Sequence, residues 1–84
     1  HKDEPFFLYL PYTIPHVAIE IPDAEVAAYK GLWDDPAYDG KKGYKPHPTP
    51  RAAYAAMVTR LDATVSKLVA LLDELKIADN TLVI

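Results

Sequence analysis

The chain has 84 residues, half of them hydrophobic and a quarter charged, with a formal net charge of −3. It can hold at most one small domain, and its composition is that of a globular protein rather than a disordered one. The absence of a basic patch argues against nucleic-acid binding. The absence of cysteine excludes disulfides and thiolate metal sites within the chain. No apolar run approaches the roughly 20 residues that span a bilayer, so no membrane partner is expected.

The first predicted element is a strand over 5–10, Pro5-Phe6-Phe7-Leu8-Tyr9-Leu10. It is apolar throughout and is followed by Pro11, as in a strand covered on both faces. A long loop over 12–48 follows, broken by Pro15, Pro22, Pro36, Pro46 and Pro48 and by Gly31, Gly40 and Gly43. One short helix is expected near 23–30, with Asp23 as cap, Gly31 as its left-handed end, and Ile21 and Val26 as a hydrophobic staple. Irregular loops of this length are usually functional or disordered. Tyr12, Tyr29, Trp33, Tyr38 and Tyr44 argue against disorder.

A long helix is predicted over 50–76, with Thr49 as cap and Pro50 in the first turn. Tyr54, Met57, Val58, Leu61, Val65, Leu68, Val69, Leu72 and Leu75 recur at steps of three and four and define one face. Alanines at 52, 53, 55 and 56 favour helix and allow close packing. Lys76 near the end suits the helix dipole. Asp79-Asn80 turns the chain into a β-branched run over 81–84, read as a buried strand cut short by truncation. Strand, long loop, helix, strand is the order of an α/β protein. It predicts a βαβ piece of a largely parallel sheet flanked by helices.

Few residues carry candidate chemistry. His16 follows Pro15 near the end of the first predicted strand, where α/β sheets commonly place ligands. An imidazole there can bind an anion or give a proton to a leaving group. Spacing alone favours a histidine bonded to a nearby carbonyl. His47, in Lys45-Pro46-His47-Pro48, reads as an exposed loop residue. Lys41, Lys42 and Lys45 form a cationic stretch beside Tyr44 that could meet an anionic substrate but reads first as a solvated loop. Asp34 and Asp35 could pair on a cation, though adjacent carboxylates in a turn are common without one. Asp62 reads as a buried or half-buried structural carboxylate. No phosphate loop, zinc spacing or nucleophile elbow is present.

Several linked segments nevertheless resemble a known family. Pro5-Phe6-Phe7-Leu8-Tyr9-Leu10-Pro11-Tyr12-Thr13-Ile14-Pro15-His16 is similar to a "PFFLYL…PH" segment. After it come Tyr29-Lys30-Gly31, Gly43-Tyr44 and Pro48-Thr49-Pro50-Arg51-Ala52-Ala53-Tyr54-Ala55-Ala56-Met57-Val58. The helix shows Leu61-Asp62-Ala63-Thr64-Val65 and closes on Leu75-Lys76-Ile77-Ala78-Asp79-Asn80-Thr81-Leu82-Val83-Ile84. In this order, over nearly the whole chain, they resemble the sulfatase family of the alkaline-phosphatase-like superfamily, in particular bacterial arylsulfatase-like members. Lys76 and Ser66 stand where that family often has glycine.

The resemblance implies a single fragment, 1–84, of a sulfatase catalytic domain, with 12–48 bordering the active site. It implies a sulfuric ester hydrolase that uses a formylglycine nucleophile beside calcium. His16 inherits a sulfate-contacting, substrate-binding and leaving-group-protonating role, and no metal ligand is assigned. The "C/S-x-P-x-R" motif that yields formylglycine is absent, and the family's "F-x-S-D-N-G" calcium segment would follow Ile84. The 84 residues alone are therefore expected to bind neither cofactor and to be inactive. Expected partners are a sulfated small molecule or glycan and the remainder of the sulfatase chain. Self-association through exposed strands is also expected, and the parent is expected in the periplasm or outside the cell. A phosphonate or phosphodiester hydrolase of the same superfamily, and a non-catalytic βαβ module, are the alternatives.

Overall fold

The computed structural model describes residues 1–16 and 18–84. Its main element is a 25-residue helix, Pro50–Glu74, preceded by a single-turn helix, Asp23–Val26. The single-turn helix is α1 and the long helix is α2. A 3-10 turn, Ala27–Tyr29, extends α1, and another, Ala78–Asn80, follows α2.

The expected βαβ unit is not formed. Among the described residues the β pairing is one isolated antiparallel bridge, Tyr38 to His47. Residues 5–10 and 81–84 carry no ladder, and their apolar side chains are bare: Phe7 is 92% exposed and Leu82 85%. An apolar, β-branched run encodes a preference for burial, but a strand exists only where a second backbone takes its N–H and C=O groups. These two segments do not supply that backbone to each other. The radius of gyration is 17.2 Å, against about 12 Å for a compact domain of this length. The parallel-sheet expectation is therefore replaced by a small helical core with apolar arms.

That core sits at the N-terminal end of α2. Ala52, Ala53 and Ala56 are buried against Val26, with Ile19, Ile21 and Tyr29 packed around them. Alanine leaves the helix backbone close to its neighbour, so one turn of α1 can seat directly on α2. Ile21 and Val26 flank the capping position as a staple does, but that position is Pro22, and Asp23 is the first helical residue. Polar ties close the contact. The Tyr29 and Thr59 hydroxyls are hydrogen-bonded, and Arg60 Nη1 lies 3.0 Å from Glu25 Oε1.

The ends of α2 correct two readings. Thr49 does not cap it; its Oγ1 is buried without a partner. Asp35 does so from 16 residues upstream, accepting the Arg51 N–H at 2.8 Å and the Ala52 N–H at 2.9 Å. Two N–H groups of the first turn are satisfied by a carboxylate at the positive end of the dipole. At the other end Ile77 N–H reaches the Leu72 carbonyl at 3.0 Å and Lys76 N–H reaches Asp73 at 2.9 Å, a Schellman pair. The helix thus ends at Glu74, and Lys76 is the left-handed residue at φ 59°. It holds the conformation that glycine would adopt with least strain.

Candidate functional site

His16 stands at the end of the first apolar segment, directly after the cis peptide Ile14–Pro15. Ile14 and Pro15 are half-buried, whereas the histidine is exposed. Among the described residues its hydrogen bond is to a backbone N–H, not a carbonyl. The Ala18 N–H donates to His16 Nδ1 at 3.4 Å. An Nδ1 that accepts cannot also carry the proton of the neutral ring, so the donor is Nε2–H. The imidazole therefore presents one N–H from an exposed position, a group suited to an anionic oxygen.

The second cluster is the loop 38–47. Antiparallel bonds of 2.9 and 3.0 Å between the Tyr38 and His47 backbones close it. The Tyr38 hydroxyl accepts the Lys42 N–H at 2.9 Å. His47, read from the sequence as exposed, is half-buried, and its Nδ1 accepts the Thr49 N–H at 3.1 Å. Lys45 reaches back to Glu20; the hydrogen bond, then the charge, of that ammonium lowers the Glu20 carboxyl below the ordinary range. Lys41 does the same to Asp39, whose carboxyl is lowered by the side-chain hydrogen bond above all. The cationic stretch is thus a folded loop with two of its three lysines paired.

The acidic candidates are spent or isolated. Asp35 holds the N-terminus of α2, and the Asp34 carbonyl accepts from Arg51 Nη1 at 2.8 Å. Of the pair that could have taken a cation, the Asp35 carboxylate is committed to the helix start. Asp62 is exposed, not buried. Among the described residues no group of three or more His, Cys, Asp or Glu is placed to hold a metal ion. The chain has no cysteine, and its one serine, Ser66, lies exposed within α2 in Val65-Ser66-Lys67. These residues therefore fit neither a calcium site nor a formylglycine.

Sequence reasoning missed the cap made by Asp35. An Asp in a loop 15 residues before a Pro-initiated helix carries no local signal of that contact. It also missed the cleft that loop 38–47 forms with Arg51. His16 and this cleft are separate features: the histidine does not line it, although Ile19 does.

No curated protein and no solved structure matches the chain significantly. The sequence profile described as Sulfatase matches residues 1–84, the whole length, and the chain belongs to the sulfatase family.

Proposed function

We propose that this chain is part of a sulfuric ester hydrolase and that His16 contacts the sulfate group of its substrate. The observation that supports the reading is the state of the ring. With Nδ1 occupied by the Ala18 N–H, Nε2–H is the remaining donor, without a partner among the described residues, on an exposed side chain. A fixed N–H donor aimed at an oxygen whose charge grows in the transition state is a large source of rate. The same position would let the ring hand a proton to the departing oxygen. Family membership makes a sulfate ester the substrate of first choice, either an aryl sulfate or a sulfated glycan. The nucleophile and calcium implied by the family are assigned to residues outside these 84.

The test is hydrolysis of matched aryl sulfate and aryl phosphate esters by the full-length protein that carries this sequence. The sulfate should be cleaved faster, and the 84 residues alone should cleave neither. A phosphate preference would replace the proposal with a phosphodiester- or phosphonate-cleaving enzyme.

A further inference from the structure

The backbone just after His16 is held from three directions. The Ala18 N–H donates to the ring itself, at Nδ1. The next residue, Ile19, packs against the core of Val26, Ala52, Ala53 and Ala56. The one after it, Glu20, accepts a hydrogen bond from Lys45 Nζ, 25 residues away in the chain. Ala18, Ile19 and Glu20 thus join the imidazole, the helical core and loop 38–47 through three consecutive residues.

The loop that carries Lys45 is a firm base for such a tie. Both of its stems are fastened to the start of α2. Asp35, upstream of the loop, accepts the Arg51 and Ala52 N–H groups, and His47 Nδ1 accepts the Thr49 N–H. Within the loop, Tyr38 pairs with His47 and Gly43 N–H donates to Gly40 O at 3.2 Å. Gly40 sits at φ +82°, and a Cβ there would come within 3.2 Å of both Pro46 Cδ and the Tyr44 carbonyl, so the turn requires glycine. The other ion pair of this loop, Lys41 with Asp39, is local and ties it to nothing else. Among the described residues, the one further ion pair between distant segments is Arg60 with Glu25, which joins α2 to α1.

We infer that Glu20 is a positioning residue for His16, acting with Lys45. The pair fixes the backbone next to Ile19, which keeps the Ala18 N–H on Nδ1 and so keeps the ring proton on Nε2. The carboxylate touches no substrate; it acts through Ala18. Both side chains of the pair are exposed, 71% for Lys45 and 63% for Glu20, so the effect has the size of a solvated ion pair. Lys45 also offsets a negative charge that would otherwise oppose an anionic ester at His16. The effect on turnover rests on the sulfate-contacting role of His16; the effect on the ring does not.

The experiment combines aryl sulfate turnover by the full-length protein with nitrogen NMR of its histidine rings, the His16 signals being assigned by their loss in His16→Ala. Glu20→Gln and Lys45→Gln should each lower kcat about two- to fivefold, the range of an exposed ion pair. Each should also move the His16 ring from Nε2–H towards a mixture of the two tautomers. KM should rise in Lys45→Gln, which bares the carboxylate, and not in Glu20→Gln, which removes it. Exchanging the charges, Glu20→Lys with Lys45→Glu, should return kcat to within about twofold and restore the tautomer. Lys41→Gln breaks only the local pair with Asp39 and should leave kcat and the ring as they were. An unchanged ring in Glu20→Gln, an equal loss from Lys41→Gln, or an exchanged pair no better than the single variants would each overturn the inference. So would an unchanged kcat in Glu20→Gln where His16→Ala is slow. A tautomer that follows Glu20 in a protein whose His16→Ala variant turns over normally would uphold the positioning and remove the sulfate-contacting role of His16.

Discussion

The two halves of α2 both carry apolar residues at helical spacing and meet different fates. The first half buries Ala52, Ala53, Ala56 and Met57 and leaves Tyr54 and Val58 exposed; in the second, Leu72 is buried while Val65, Val69 and Leu71 are exposed. Helix propensity does not separate them, since both halves are rich in good helix formers. The difference lies in what reaches them. Residues 19–29 fold back onto the first half through Ile19, Ile21, Val26 and Tyr29. Among the described residues, the element that packs on the second half is the short turn Ala78–Asn80 that follows it. An apolar stripe states which face prefers burial, and the tertiary partner decides whether it is buried.

Substitutions in the two halves can break that comparison. Val26→Ala should cost about 2 kcal/mol, because Val26 is fully buried against three alanines and the lost methyls leave a void. Val69→Ala, at a side chain 41% exposed, should stay within about 0.5 kcal/mol, with better helix propensity offsetting the lost contact. Urea denaturation monitored by helical circular dichroism compares the two, and equal losses would dissolve the distinction. Asp35→Ala should cost about 1 kcal/mol by freeing two N–H groups of the first turn, and Thr49→Ala should cost less. Finally, Lys76→Gly should raise stability by roughly 0.5–1 kcal/mol, since it relieves a side chain held at φ 59°. Loss of stability there would mean that the added freedom of the unfolded chain outweighs the strain.

What the residues disclosed, and what they hid, follows the same physics. The long helix was legible because its signals are local: Pro50 in the first turn, the spacing of apolar residues, the alanine run. The staple of Ile21 and Val26 was legible for the same reason. The cap was not, because Thr49 has the right chemistry in the right place while the carboxylate that serves arrives from Asp35 across the loop. The strands misled because 5–10 and 81–84 have strand composition without a ladder partner. At the candidate site, the place of His16 after the apolar segment was legible, and the structure sets an exposed ring there behind half-buried Ile14-Pro15; its role rests on the resemblance around it. Its bonding was not legible, since the donor from Ala18 depends on the fold of the turn. His47 and Lys42 read as solvated loop residues because nothing in their spacing shows that Tyr38 and His47 pair and draw them to Arg51.

The central claim concerns His16, and the most direct measurement is kcat for aryl sulfate hydrolysis by the full-length protein with His16→Ala, beside His1→Ala as an exposed control. Loss of one donor to a developing oxyanion should lower kcat by about 10²–10³ in the first variant, with the second unchanged. A His16→Ala protein that folds normally and turns over at the unmodified rate would contradict the account.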